Sequence, residues 1–123
     1  MRLFQRAAFW YYTRSVRSLA AGDVCSVKSE DHFSVAKILT MSGDVVHVRL
    51  YKEKFRERPQ AVEMGTLSLG SIDDLDGFGV GHLPLSRGTF GSWLPARIQN
   101  DPVTDDELIW VSEWEKSGGG VWN

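Results

Sequence analysis

Residues 73–86, DDLDGFGVGHLPLS, combine residue types that bind metals and phosphates, with three aspartates, three glycines and a histidine inside the first ten positions. A calcium-binding EF-hand loop requires acidic side chains at positions 1, 3 and 5, a glycine at position 6 and a bidentate glutamate at position 12. With Gly77 at position 6, Asp76 and Asp74 fit, but Ile72 and Leu83 occupy positions 1 and 12. Because two oxygen ligands are missing, the sequence argues against a calcium site.

The glycines do not match a phosphate-binding loop either. GFGVGH, residues 77–82, has His82 where a dinucleotide-binding loop has its third glycine, and no strand-to-helix pattern surrounds it. Glycines adopt positive φ angles, and aspartates hydrogen-bond to their own backbone, so a simple turn is one interpretation of residues 73–82. A binding loop is the other, since glycines let a partner come close. The sequence leaves both open.

The histidines and nucleophiles lack the spacing of known catalytic motifs. His82 is a candidate general base or zinc ligand, because histidine titrates near neutral pH and binds zinc. No HxH, CxxC or HExxH spacing connects it with His32, His47 or Cys25. Ser86, in PLSRG, lacks the G-x-S-x-G turn of a serine nucleophile. We therefore predict a protein that is not an enzyme and that uses no metal and no cofactor.

Five tryptophans in 123 residues are a more informative excess. Trp110 and Trp114 are four residues apart in an acidic segment, so a helix would place them on one face. Aromatic side chains fill protein cores, but they are also enriched at the centres of protein interfaces. An acidic surface with aromatic anchors fits a basic protein partner, so Asp105, Asp106 and Trp110 are candidate partner-binding residues.

Three strand patterns follow Gly22, in residues 23–28, 33–40 and 44–51, and the turn MSGD separates the last two. Alternation along the third strand gives one apolar face and one half-polar face. The apolar face consists of Val46, Val48 and Leu50, and the half-polar face consists of Val45, His47, Arg49 and Tyr51. We expect His47, Arg49 and Tyr51 to face a partner, together with Phe78 and His82 in the glycine-rich segment.

The second half of the chain predicts a mixture of short elements. Residues 61–72 predict one or two further strands, and a helical turn begins at Ser86 before an extended segment near Pro95. Thr104 and Glu107 form a capping box, and Gly118 ends the helix that follows it. The predicted fold is α+β, mainly β: a bent antiparallel sheet with the character of an SH3-like partial barrel, and a C-terminal helix packed on it.

Composition and charge fit one domain and give no global attraction for nucleic acid. The net charge is −2, and residues 1–22 carry four arginines without an acid, which leaves −6 for the rest. The predicted divisions are a basic extension or short helix at residues 1–21, a single domain at 22–117 and a flexible tail at 118–123. The apolar cluster AAFWYY is too short for a signal peptide or a membrane span, so we expect a cytoplasmic protein.

The segments GDVCSVKSEDHFSVAKILTMSGDVVHVRLYKEKFRERP, GFGVGHLPLS and PVTDDELIWVSEW together resemble the small, β-rich immunity-type proteins of bacterial polymorphic toxin systems. The similarity covers about residues 22–114. It implies a cytosolic single-domain protein that neutralises a cognate toxin by binding it, without catalysis or cofactor.

The alternative is an SH3-like or Tudor-like module that binds nucleic acid or a peptide through Tyr51, Phe55 and the basic run at residues 52–58. A third hypothesis, a hydrolase or metalloenzyme, centres on His82 and the acids at residues 73–76. The oligomeric state stays open.

Overall fold

The computed structural model describes residues 18–122, and within them the fold is α+β, mainly β, as predicted. The five strands are β1 (Asp23–Ser29), β2 (His32–Ser42), β3 (Val45–Leu50), β4 (Val80–Ser86) and β5 (Ala96–Asn100). Among residues 18–122 the two helices are α1 (Arg87–Ser92) and α2 (Asp105–Lys116), and one 3-10 turn spans Met64–Thr66. The helix proposed for the basic N-terminal extension falls almost wholly on residues 1–17, outside the described part of the chain.

Strands β1 to β3 form the meander that the sequence predicts. Their β-branched and apolar residues favour extended backbone, and a two-residue turn at Gly43 and Asp44 joins β2 to β3. Gly43 has a φ of 59°, which glycine adopts without strain. All the strand pairings are antiparallel, in the order β4-β3-β2-β1-β5.

The sheet is irregular at three points and has two separate edges. Its register shifts between Val24 and Cys25, between Ile38 and Thr40, and between Val48 and Leu50. Irregularities of this kind bend strands and increase their twist. In the described residues β4 and β5 do not pair with each other, so closure into an SH3-like barrel is not confirmed.

One face of the sheet, which we call the apolar face, carries a dry core beneath α1. Phe90 of α1 is completely buried there. Ser86 begins this helix by accepting a hydrogen bond from the Thr89 backbone N–H at 3.2 Å. The buried residues of the apolar face are Val27, Ala36, Ile38, Val46, Val48, Leu85 and Phe90. The predicted apolar side of the third strand is thus confirmed.

The opposite face, which we call the polar face, is covered by α2 and by an irregular segment. Val24, Val35 and Tyr51 form a small apolar cluster on this side, and Val62, Met64 and Leu67 are among the side chains packed on it. The strands predicted for residues 61–72 are wrong, because only the 3-10 turn is regular there. The backbone N–H and C=O of Val62 bond to the side chain of Gln99 instead of to a neighbouring strand.

The C-terminal helix has the boundaries and cap that the sequence predicts. The Thr104 side chain accepts from the Glu107 backbone N–H, and the Glu107 side chain accepts from the Thr104 backbone N–H. Residues 118–122, expected as a flexible tail, are tied back to the domain. The Trp114 indole N–H donates to the Gly120 carbonyl at 2.6 Å, and the Trp122 N–H donates to the Pro84 carbonyl of edge strand β4 at 2.8 Å.

Candidate partner-binding face

The half-polar side of β3 does not form an open surface, because α2 packs over His47 and the irregular segment packs over Tyr51, the residue that follows the strand. His47 has no exposed surface at all, and Tyr51 is also buried, while Arg49 keeps only a small exposed fraction. The expectation that His47 and Tyr51 face a partner is therefore wrong. A half-polar strand face resembles a solvent-facing one in sequence, but here its polar groups pair with those of α2.

A buried lysine organises the polar face. The Lys37 ammonium, on β2, donates to the Asp101 carboxylate at 2.7 Å, to Glu107 Oε1 at 3.0 Å and to the Pro102 carbonyl at 3.2 Å. These three acceptors satisfy all three N–H groups of the ammonium. A buried charge without such partners would be strongly destabilising, so the network fixes where α2 begins on the sheet.

Glu107 joins the helix cap to this network. Its Oε1 atom accepts from the Thr104 backbone N–H at 2.9 Å and from Lys37, while Oε2 lies 3.6 Å from the Arg49 guanidinium. Burial acts to raise the pKa of Glu107, but the Thr104 hydrogen bond and the Lys37 charge outweigh it and hold the pKa below its ordinary value. Glu107 is therefore ionised at neutral pH, and its charge is committed to holding α2.

His47 and His82 form an end-to-end pair across β3 and β4. His47 Nδ1 lies 2.8 Å from His82 Nε2, and the rings are within 11° of coplanar with centres 5.1 Å apart. The distance between the ring centres is about the sum of the N···N distance and the distance from each nitrogen to its own ring centre. Both nitrogens therefore lie near the line that joins the two ring centres. The rings are therefore not stacked face to face. One of the two nitrogens carries the proton and points it at the lone pair of the other, which is hydrogen-bond geometry and not the geometry of two ligands on one metal.

The pair is held in an uncharged environment. Trp114 of α2 meets the His47 ring edge-to-face at 4.5 Å between centres. Burial lowers the pKa of His47, and burial together with the neighbouring His47 lowers the pKa of His82. Of the buried side-chain atoms in residues 18–122, His47 Nε2 is the one without a hydrogen-bond partner. A neutral pair joined by one N–H···N hydrogen bond fits these two pKa directions.

The outward face of α2 presents apolar surface among acids. Trp110 is 57% exposed and Ile109 is 52% exposed, so large side chains stand in solvent on the side away from the sheet. The exposed acidic residues of the helix are Asp105, Asp106, Glu113 and Glu115. Trp114 and Val111 instead face the sheet, which separates the two tryptophans that the sequence placed on one face. Asp105, Asp106 and Trp110 are accessible, as a partner-binding role requires.

The aspartate and glycine segment that resembled a cation loop is neutralised by a lysine. The Lys52 ammonium lies 3.0 Å from Asp74 and 3.3 Å from Asp76, where a metal ion would otherwise be needed. In the described chain no three histidine, cysteine or acidic side chains converge as a metal site. Phe78 is half exposed at the end of this loop, and His82 has already entered β4. Phe78 is therefore accessible, whereas His82 is half-buried and is bonded to the buried His47.

The basic run at residues 52–58 is only partly available to a ligand. Lys52 is paired as described, and the Arg58 guanidinium donates to the Ser26 hydroxyl at 2.8 Å and to the Leu94 carbonyl at 2.9 Å. Arg58 also lies 4.8 Å over the Phe33 ring. Lys54 and Arg56 are the exposed cations of the run. The segment thus fastens the loop to the sheet more than it forms a row of free charges.

The cysteine carries no sign of nucleophilic activation. Cys25 is fully buried in β1, and burial, reinforced by the nearby Asp23 charge, raises the pKa of its thiol to about 12. A thiol must lose its proton to act as a nucleophile. At neutral pH Cys25 is therefore an inert core residue, as the sequence suggested.

Comparisons with protein-family models, with curated proteins and with solved structures return no match for this chain. The case for a function therefore rests on the residues and their geometry. Between residues 18 and 122, no helix combines the length and the apolar character needed to cross a membrane.

Lys37, Glu107 and Trp114 are the polar-face residues that sequence reasoning missed as a group. Lys37 did leave a signal, since it interrupts the apolar run FSVAKILT on a strand whose neighbours are all buried. Glu107 was identified only as a capping residue, and its distance of 70 positions from Lys37 hid the pairing. A lysine in the middle of an apolar strand is a reason to search for a distant acid.

Proposed function

We propose that this chain is a non-enzymatic protein-binding protein, an immunity-type inhibitor that neutralises a cognate toxin domain in the cytosol by binding it. The observation that carries the proposal is the outward face of α2, where Trp110 and Ile109 stand exposed between acids. The resemblance of residues 22–114 to immunity-type proteins supports the same conclusion. The partner is expected to be basic where it meets α2.

The chemistry of this helix face suits a protein partner. Tryptophan is enriched among the residues that dominate binding energy, and a ring on a helix anchored by Glu107 and Trp114 loses little freedom on binding. Four exposed acids against Lys116 leave the face with a net charge of about −3. Such a field steers a basic partner toward the surface and repels phosphate backbones.

The groups that could perform acid-base chemistry are engaged in holding the fold, which favours binding over catalysis. Lys37 and Glu107 neutralise each other beneath α2. His47 is buried against Trp114, and its proton is shared with His82.

The Tudor-like alternative draws less support from the same residues. Its aromatic, Tyr51, is buried, and two of its four cations, Lys52 and Arg58, are bonded within the domain. Lys54, Arg56 and the half-buried Phe55 remain for a nucleic acid, on a chain whose overall charge is negative.

The proposal is tested by affinity purification from a lysate of the source cells, with the full chain as bait. Trp110→Ala is compared with Ser112→Ala, an exposed change on the same helix that leaves both Trp110 and the sheet contacts in place. We expect the wild type and Ser112→Ala to retain one protein at stoichiometric yield through a high-salt wash. Trp110→Ala should lose it with an unchanged melting temperature, because the ring contacts solvent in the free domain.

Neutralisation is then measured by producing the captured protein in cells with each variant. Growth that wild type and Ser112→Ala restore, and Trp110→Ala does not, is the expected result. Recovery of nucleic acid that washes off at high salt would move the assignment to the Tudor-like module. Equal capture by all three baits would remove α2 from the interface.

A further inference from the structure

The loop at residues 71–79, which we call the Asp-Gly loop, exposes three large apolar side chains within seven residues. Ile72 is 79% exposed, Leu75 is fully exposed and Phe78 is 51% exposed. Single apolar residues on a surface are ordinary, but a cluster of this kind marks a contact site more often than chance placement. The outward face of α2 does not include these residues, so they require a separate account.

The Asp-Gly loop is fastened to the sheet at its base. Lys52, directly after β3, bonds to Asp74 and Asp76, and the Asp74 carboxylate also accepts from the Ser71 backbone N–H at 2.9 Å. The Ser71 hydrogen bond and the Lys52 charge lower the pKa of Asp74, so this carboxylate stays ionised at neutral pH. The loop is thus closed by charge-assisted bonds at the position where the sequence had suggested a cation.

The exit of the Asp-Gly loop is fixed by a close backbone approach. The Gly79 N–H donates to the Leu69 carbonyl at 2.7 Å. A Cβ at position 79 would collide with the Leu50 carbonyl oxygen of β3, so the loop can lie this close to the sheet only because residue 79 is glycine. The glycine therefore has a structural role that neither a phosphate loop nor a calcium loop would explain.

A fastened loop that holds apolar side chains in solvent is suited to insertion into a partner. Ordering a flexible loop costs free energy on binding, and a loop already held in its bound form avoids that cost. Asp73 and Asp76 are exposed on either side of Leu75, and together with Asp74 they outnumber the one lysine, Lys52, that bonds to the loop, so the apolar tip keeps a net negative charge around it. The complementary surface is an apolar cleft with cations at its rim.

We propose that the Asp-Gly loop inserts Leu75, with Ile72 and Phe78 beside it, into an apolar, cation-rimmed cleft of the same basic protein that α2 contacts. This inference rests on the proposed function and names the part of the partner that is occupied. Arg49 connects the loop exit with the sheet-facing side of α2, since its guanidinium donates to the Gly81 carbonyl and lies 3.6 Å from Glu107. One side chain thus joins the exit of the loop to the helix that carries Trp110.

The test places a photo-crosslinking residue, p-benzoylphenylalanine, at position 75 or at position 110 of the full chain, in the lysate used above. We expect both positions to crosslink to the same protein. The peptide of that protein that is crosslinked to position 75 should contain apolar residues with lysine or arginine nearby. Crosslinking at 110 but not at 75 would overturn the loop proposal and leave the proposed function standing. A position-75 crosslink to a second copy of this chain would overturn it too. No crosslink at either position would overturn both.

A second measurement separates the apolar contacts from the rigidity of the loop. Leu75→Ser should weaken capture of the crosslinked protein at least about tenfold, as loss of a central apolar anchor does. Lys52→Met leaves the apolar side chains unchanged but releases Asp74 and Asp76, and it should weaken capture by about three- to tenfold. Lys28→Met is the control, an exposed lysine of β1, and should bind within about twofold of wild type. Binding by Leu75→Ser equal to that of wild type would overturn the proposal.

Discussion

The two faces of the sheet are built on different principles. The apolar face carries a cluster of seven buried residues, among them Phe90 and Ile38. Its stability depends on the apolar area that is buried and on how well the side chains fill the space. The polar face holds α2 through Lys37, Glu107 and the His47–His82 pair, each of which depends on particular atoms at particular distances. Alternation of apolar and polar residues along a strand is enough to form the apolar face. The polar face also requires bonding partners that lie far along the chain, as Lys37 and Glu107 do. Of the two faces, the polar one should therefore be the one that makes stability depend on pH.

The largest expected effect lies on the apolar face. Phe90→Ala removes a fully buried ring from beneath α1 and should lower the free energy of unfolding by about 4 kcal/mol. Urea denaturation at pH 7.5 and at pH 5.5 should give the same loss, because the clustered side chains and those packed against them, within residues 18–122, are all apolar. Phe90→Leu is the control and should cost about 1 kcal/mol. A loss that depends on pH would contradict the separation of the two faces.

Sequence reasoning succeeded where one element carries its own signal. The strands 23–28, 33–40 and 44–51 follow from local alternation, and the capping box at Thr104 and Glu107 defines the start of α2. It failed for residues 61–72, because an apolar segment that packs on a sheet without joining it has the composition of a strand.

Sequence reasoning predicted one part of the candidate site correctly and another part wrongly, because only the first part depends on local pattern. The accessibility of Trp110, Asp105 and Asp106 agrees with a helix that packs one side on the sheet. The burial of His47 and Tyr51 could not be predicted from β3 alone, since it depends on the irregular segment for Tyr51 and on the position of α2 for His47. That position is set by a lysine and a glutamate 70 residues apart, and local periodicity contains no information about such a pair.

Breaking the Lys37 network is the next largest effect. Lys37→Met leaves Glu107 facing the polar face without its main counter-charge and should cost about 3 kcal/mol at pH 7. The pKa of Glu107 lies below its ordinary value of 4.5 in the folded chain. Its stabilising contribution is therefore complete above pH 4.5 and is lost as the pH falls through the folded pKa. The difference between wild type and Lys37→Met should accordingly narrow below pH 4.5 in urea titrations.

A double variant separates lost pairing from lost packing. Lys37→Met with Glu107→Gln removes both charges, and Gln can still accept from Thr104 as part of the cap. It should recover about 1 kcal/mol or more relative to Lys37→Met alone, because no unpaired carboxylate is left beneath α2. If Lys37→Met proved as stable as wild type, the network would be no stronger than a surface ion pair, and another contact would have to fix α2.

The smallest effect belongs to the histidine pair, and it appears in the pH slope of stability. Burial lowers the pKa of both His47 and His82 in the folded chain. As the pH falls below the ordinary value of 6.5, the unfolded chain binds protons that the folded pair does not. Stability should therefore fall, by about 1.4 kcal/mol per pH unit at most for each such proton, until the folded pair is protonated as well. Thermal and urea unfolding between pH 7.5 and 5.5 measure this slope.

His47→Asn with His82→Gln places an amide near each of Nδ1 and Nε2, so that the N–H of one can donate to the oxygen of the other, but removes both titrations. The double variant should be less stable at every pH because the rings are gone, yet its stability should change less between pH 7.5 and 5.5 than that of wild type. His32→Asn, which removes the histidine at the start of β2, should leave the wild-type slope in place. Equal slopes in wild type and the double variant would mean that the pair takes up protons in the folded state as readily as in the unfolded one. The contribution of the polar face to stability would then depend on pH through Glu107 alone. The contact of Trp114 with His47 would not depend on the charge of the histidine pair.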